Sequence, residues 1–237
     1  MARAPSPAMR KMPAPIHLYY ITDRTAFPGD EASRRLLLLG KIAEAARAGV
    51  EYIQLREKDL STRDFEKLAR EAVDTLREIQ RETRNAKHKT RFLINSRTDV
   101  ALAVEAHGVH LRGDDISPRE AVAIQSIARE NLRQGTGNFL TAVSCHSVED
   151  VWRAEREGAS FAVLAPIFGK PAVRPVPALG LEALKIACQG KLPVFALGGV
   201  SLENTSACID AGATGIAAIR LFQNNNIQEV SHHLRRS

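Results

Sequence analysis

Gln54, Arg56 and Lys58 alternate within the stretch Glu51-Tyr52-Ile53-Gln54-Leu55-Arg56-Glu57-Lys58-Asp59. Successive side chains on an extended backbone point to opposite faces, so these three share one side while Leu55 and Glu57 take the other. An amide and two cations converging at a strand end make a seat for a phosphate or diphosphate, since Arg presents a planar fork of donors and Lys a compact charge. The stretch equally suits a solvated strand-to-helix loop.

Four further stretches carry residues of the right kind. Asn95-Ser96-Arg97 and Asp114-Asp115 supply polar and anionic groups. A carboxylate there suits Mg²⁺ held against a diphosphate, because hard cations take oxygen ligands and share them with substrate phosphates. Neighbouring aspartates also serve as turn or cap residues. Ser144-Cys145-His146-Ser147 adds a hydroxyl and an imidazole, and His146 is either a general acid/base or a surface or capping histidine. Leu197-Gly198-Gly199-Val200-Ser201, with Ala218-Ile219-Arg220 further on, places glycines where a backbone approaches a phosphate closely or simply turns.

These groups need a scaffold, and the hydrophobic pattern supplies one. Short runs rich in β-branched and aromatic residues predict strands over residues 16–21, 52–55, 92–95, 108–111, 140–144, 161–164, 193–197 and 215–219. Segments with apolar residues at helical spacing predict helices over 33–48, 65–79, 99–104, 147–157, 181–188, 202–211 and 227–234. Ser117-Pro118 opens a further helix, with Ser as cap, Pro at the first position and Glu120 at the third. Strict alternation of strand and helix predicts a single-domain (β/α)8 TIM barrel over residues 16–237, with a doubly wound open sheet as runner-up. Closure is favoured because polar residues recur at the C-terminal ends of the strands and no glycine-rich dinucleotide fingerprint follows the first strand. Residues 1–15, with four prolines and several alanines, are expected to be a disordered tail lacking the apolar core of a secretory signal.

Composition narrows the function. A chain of 237 residues with 44% hydrophobic and 25% charged residues has material for one large core. No apolar run is long enough to cross a bilayer, so no membrane partner is expected. A formal charge of +6 admits nucleic acid, but Lys and Arg are interspersed with Asp and Glu and aromatics are only 5%, too few for a stacking platform. Anionic small molecules account for the excess equally well. Cys145, Cys188 and Cys208 are odd in number and widely spaced, which predicts reduced thiols and a cytoplasmic location.

In order, Gln54-Leu55-Arg56-Glu57-Lys58-Asp59, Leu93-Ile94-Asn95, Gly108-Val109-His110-Leu111, Ser144 with His146-Ser147, Pro166-Ile167-Phe168, Leu179-Gly180 and Ala196-Leu197-Gly198-Gly199-Val200 resemble the thiamine phosphate synthase/TenI superfamily. The resemblance runs from Ile16 to about Phe222. It implies a TIM barrel in thiamine biosynthesis, acting on a phosphorylated thiazole and, in the synthase branch, an aminopyrimidine methyl diphosphate. On that pattern Gln54, Arg56 and Lys58 bind the diphosphate, Asn95 the pyrimidine, Asp115 a Mg²⁺ and Ser144 the substrate near the reacting carbon. Gly199, beside Gly198, sits at the thiazole phosphate. The resemblance also implies a homodimer.

The departures matter as much. Ser96 stands where the synthase pattern has a second acidic metal ligand, and Arg112 replaces the usual glycine after the fourth strand. Lys170-Pro171-Ala172-Val173 replaces a Thr-x-Thr-Lys loop, leaving Lys170 and Arg174 to substitute for its charge. Arg220 stands where a serine closes the eighth strand, there to grip a phosphate or to block it. These losses favour a TenI-like thiazole tautomerase with His146 as acid/base and no metal cofactor. The alternative is a Mg²⁺-dependent thiamine phosphate synthase, for which the intact Gln54, Arg56 and Lys58 set argues; a non-catalytic phosphate-binding regulator is a third reading.

Overall fold

A computed structural model describes residues 16–82, 89–132, 138–169 and 177–235. The expected N-terminal tail, Lys170 and Arg174 lie outside those residues. β1 (His17–Ile21), β2 (Tyr52–Leu55), β3 (Arg91–Asn95), β4 (Gly108–Leu111), β5 (Leu140–Cys145), β6 (Phe161–Leu164), β7 (Val194–Ala196) and β8 (Gly215–Ala218) form a closed parallel barrel in sequence order. Each strand pairs with the next, and β8 closes onto β1 through Tyr19↔Ala217 and Tyr20↔Ala218. The helices are α1 (Glu31–Arg47), α2 (Thr62–Glu82), α3 (Thr98–Ala103), α4 (Pro118–Leu132), α5 (Val148–Arg156), α6 (Gly180–Ala187), α7 (Thr205–Asp210), α8 (Arg220–Gln223) and α9 (Ile227–Leu234).

Strand alternation sorts each strand into two layers. Leu18, Tyr20, Ile53, Leu55, Phe92 and Ile94 point outward and pack beneath the helices with Leu38, Ile42, Leu68 and Leu76. Tyr19, Ile21, Leu93, Phe161, Val163 and Phe195 point inward and fill the barrel. Tyr19, Tyr52, Phe161 and Phe195 close the interior from below, with ring centroids 5.0–5.9 Å apart in edge or tilted arrangements. Such pairs add about 0.5–1.5 kcal/mol each beyond the area they bury. The floor therefore confines polar chemistry to the C-terminal mouth.

Side-chain caps fix where several helices begin. Asp30 accepts from the Ser33 N–H, Ser147 from Asp150 and Asn226 from Glu229. At α4 the expected reciprocal cap is present: Ser117 N–H donates to Glu120 Oε2 at 2.8 Å, and Glu120 N–H to Ser117 Oγ at 3.3 Å. The helix expected from residue 202 begins instead at Thr205, because Asn204 Oδ1 takes the Ser201 N–H at 2.9 Å and bends the intervening residues into a turn. α8 was not foreseen, since four residues are too few to display a helical period. Among the described residues, no helix is long and apolar enough to cross a membrane.

Candidate active site

A cavity of about 650 Å³ opens at the C-terminal ends of the strands, where barrel enzymes place their chemistry. Gln54, Arg56, Lys58, Asn95, Ser144, His146 and Gly198 all line it, joined by His110, Arg112 and Asp114. One wall thus carries three cations and another an imidazole and a hydroxyl. Gly199 and Arg220 fall outside this lining; Gly199 packs its backbone against Phe168, and Arg220 starts α8 in an exposed position.

The cations are aimed by residues on the opposite face of the same stretch. Glu57 is buried and accepts from the Thr22 hydroxyl at 2.6 Å and from the Arg24 N–H at 2.9 Å, while Thr22 Oγ1 accepts the Arg56 N–H at 2.9 Å. The Arg24 guanidinium, itself buried, grips Asp59 through two bonds of 2.7 and 3.0 Å and reaches Glu31 at 2.8 Å. With Glu57 and Asp59 tied behind the loop, Arg56 and Lys58 are left to face the cavity. Among the described residues neither has a carboxylate within ion-pair distance. Arg56 depresses the Lys58 pKa, with burial and Arg112 acting in the same direction. Like charges held together at that cost suit an anionic ligand. Thr22 and Arg24 escaped sequence reasoning, although Thr22-Asp23-Arg24 directly follows the first strand.

Gln54 and Asn95 meet beside the cations. Gln54 Nε2 donates to Asn95 Oδ1 at 2.8 Å, and Asn95 Nδ2 donates to Ser96 Oγ at 3.1 Å. Among the described residues this network leaves Gln54 Oε1 buried without a partner, an acceptor that an N–H from a ligand would satisfy.

The donor set at Asp115 does not make a metal site. Its Oδ2 accepts the Arg112 N–H at 2.7 Å and its Oδ1 the Arg112 guanidinium at 3.0 Å. Burial alone would raise its pKa, but the Arg112 bonds and the Ser96 hydroxyl hold it below the usual carboxylate range. Both oxygens are therefore engaged by Arg112, one by its backbone N–H and one by its guanidinium. Ser96 offers no second carboxylate, Asp114 is largely exposed, and no cluster of three or more potential metal ligands occurs among the described residues.

Across the cavity, His146 Nδ1 lies 2.9 Å from the Ala165 carbonyl, which can only accept, so Nδ1 carries a proton and Nε2 has no partner among the described residues. Ser144 Oγ lies 2.8 Å from His110 Nε2, and His110 Nδ1 lies 2.8 Å from the Tyr19 hydroxyl. Sequence reasoning gave Tyr19 and His110 no role, although His110 lies in the Gly108-Val109-His110-Leu111 motif. The available signal was strand parity: His110, two residues beyond Gly108, shares the inward face. Burial pushes the Cys145 thiol up to about 12 and those of Cys188 and Cys208 up to about 11, and all three are free.

Gly198 and Gly199 are required by backbone geometry. Both adopt positive φ, +94° and +68°, and a Cβ on Gly198 would sit 2.8 Å from Pro166. The glycine pair thereby lets the turn after β7 nest against the loop after β6.

Residues 18–222 match the family described as thiamine monophosphate synthase. The chain belongs to that family. It is 38% identical over 206 residues to a putative thiamine-phosphate synthase 2 of Aquifex aeolicus, covering 86% of this chain and 96% of the relative. The thiamine-phosphate synthase of Syntrophomonas wolfei is 33% identical over 204 residues, covering 85% and 86%. Among solved structures, a thiamine phosphate pyrophosphorylase from Pyrococcus furiosus superposes with a TM-score of 0.69 at 28% identity, covering 93% of this chain and 94% of that one. Family membership makes the chain a thiamine-biosynthesis enzyme, and the relatives' names favour the synthase over the tautomerase expected from the departures.

Proposed function

We propose that this protein is a thiamine-phosphate synthase, joining an aminopyrimidine methyl diphosphate to a thiazole phosphate and releasing diphosphate. The observation that carries the reading is the pair of uncompensated cations, Arg56 and Lys58, beside the unpartnered Gln54 Oε1 at one end of the cavity. In the reaction the methylene carbon–oxygen bond breaks, and its electron pair leaves on the diphosphate oxygen. The thiazole ring nitrogen then supplies the pair for the new bond to that carbon. Negative charge gathers on the departing diphosphate, and fixed cations facing it stabilise the transition state more than the bound substrate. Arg56 presents the fork that matches two phosphate oxygens, and Lys58 adds a point charge.

The aminopyrimidine ring responds as well. As the bond breaks, the exocyclic amine feeds electron density into the ring and its N–H groups become stronger donors. A buried acceptor such as Gln54 Oε1 gains from that change, so its bond tightens as the reaction proceeds. Gly198 borders the cavity at the turn after β7, where the thiazole phosphate is received.

A second reading rests on His146: with Nδ1–H held by Ala165, its Nε2 suits proton transfer at carbon in a thiazole carboxylate phosphate. Purified protein given the aminopyrimidine diphosphate and the thiazole phosphate, with Mg²⁺ and with chelator in parallel, decides between them. Thiamine phosphate in either arm is the expected result. No product, together with tautomerisation of the thiazole carboxylate phosphate that is lost in His146→Ala, would replace the synthase with the tautomerase. Silence in both assays with retained phosphate binding would leave a binding protein.

A further inference from the structure

The Tyr19, His110 and Ser144 chain runs from the barrel floor to the cavity and has a direction. Tyr19 is fully buried, ringed by Tyr52, Phe161, Phe195 and His110, and its hydroxyl has one polar partner among the described residues, His110 Nδ1. If Nδ1 carried the imidazole proton it would donate to the phenol oxygen, and the phenol's own proton would be buried with no acceptor. An orphaned buried donor is strongly disfavoured, by roughly tenfold or more in population. The satisfied arrangement has Tyr19 O–H donating to Nδ1, which places the ring proton on Nε2. Nε2–H then donates to Ser144 Oγ, whose hydroxyl hydrogen is left pointing away from His110.

We infer that Tyr19 and His110 are positioning residues that lock Ser144 as a hydrogen-bond donor into the cavity, where it meets an acceptor oxygen of the departing diphosphate. Ser144 is thereby excluded as a nucleophile activated by His110, because Nε2 already carries a proton and takes none from the hydroxyl. Burial, aided by Arg56, lowers the His110 pKa to about 3, which keeps the ring neutral and able to accept from Tyr19. Ser144 shares the cavity with Arg56 and Lys58, so its donor adds to the same anionic acceptor set. The identity of the acceptor rests on the synthase reading above, whereas the direction of the chain does not.

The test begins with a long-range proton–nitrogen NMR spectrum of the unliganded protein carrying ¹⁵N-histidine, the His110 signals being identified by their loss in His110→Gln. A protonated Nε2 and an unprotonated Nδ1 are expected; a protonated Nδ1 overturns the inference without reference to any activity. Tyr19→Phe, which removes only the hydroxyl, withdraws the bond that favours an unprotonated Nδ1 and is expected to leave a mixture of the two tautomers. In steady-state coupling kinetics it should lower kcat about tenfold with KM for both substrates within twofold, and His110→Gln, which can both accept from Tyr19 and donate to Ser144, should retain more activity than His110→Leu. An unchanged tautomer and unchanged kcat in Tyr19→Phe would overturn the positioning role. If wild-type protein yields no thiamine phosphate, the NMR result still decides the direction of the chain, and only the assignment of its acceptor fails with the synthase reading.

Discussion

Lowering the pH from 7 to 5 acts on two imidazoles inside this barrel before it reaches the paired carboxylates. Burial, reinforced by Arg91 and Arg77, lowers His107 from its usual 6.5 to about 4, and burial with Arg56 lowers His110 to about 3. Each ring must stay neutral to keep its bonds: His107 Nδ1 accepts the Phe92 N–H at 3.1 Å, and His110 Nδ1 faces the Tyr19 hydroxyl. Folded-state values below the unfolded value mean that the unfolded chain binds more protons in the interval. Stability is therefore full above about pH 6.5 and lost as pH falls toward 4 and 3. At pH 5 the loss per imidazole is about 1.5 times 1.4, or ~2 kcal/mol, and the two together give ~4 kcal/mol. Asp59, Asp99 and Asp115 are held below the usual carboxylate value and stay ionised across this window. Glu57, which burial holds above its usual value, works in the opposite sense and offsets part of the loss. Urea unfolding followed by circular dichroism at pH 7.5 and pH 5.0 reads the difference directly. His107→Gln, which can still accept from Phe92, should shrink it by about half. Equal stability at the two pH values, or a His107→Gln protein that keeps the whole difference, would refute the assignment of neutral buried imidazoles.

Three further outcomes follow from the site. Arg56→Gln should lower kcat/KM for coupling by about 10- to 150-fold, the worth of a hydrogen bond to a charged group, and raise the Lys58 pKa, which pH-dependent chemical labelling of that lysine reports; an unchanged kcat/KM would remove Arg56 from the diphosphate. Arg24→Met leaves Glu57 buried without its cation and should cost about 3–5 kcal/mol in urea unfolding, with partial recovery in the double variant Arg24→Met/Glu57→Gln; equal stability of the single and double variants would show that the buried pair is not the cause. Arg112→Gly takes the guanidinium from Asp115 Oδ1 while the backbone N–H stays on Oδ2, and should tighten Mn²⁺ binding, measured by paramagnetic relaxation of water, by up to about fivefold, the scale of one surface-exposed ion pair removed; no change would mean that the Arg112 guanidinium does not hold Asp115 from a cation.

The strand-and-helix alternation, the strand positions to within a residue or two and the gathering of polar residues at the C-terminal ends of β2, β3, β4 and β5 were legible in the amino-acid order. The reason is local: side-chain period and capping pairs such as Ser117 with Glu120 act over a few residues and leave their mark in sequence. The shared face of Gln54, Arg56 and Lys58 came from parity alone, and the cavity lining agrees with it. What parity could not reach is how neighbouring strands meet. Closure of the barrel brings Tyr19 to His110 across 91 positions and Ser144 to His110 across 34, and it sets Arg24 behind Glu57. The buried Arg24 illustrates the same division: the sequence placed Glu57 on the face turned from the cations, and only the fold set Arg24 against it across 33 positions, because the side chain that neutralises a buried charge is chosen by distance in space and not along the chain.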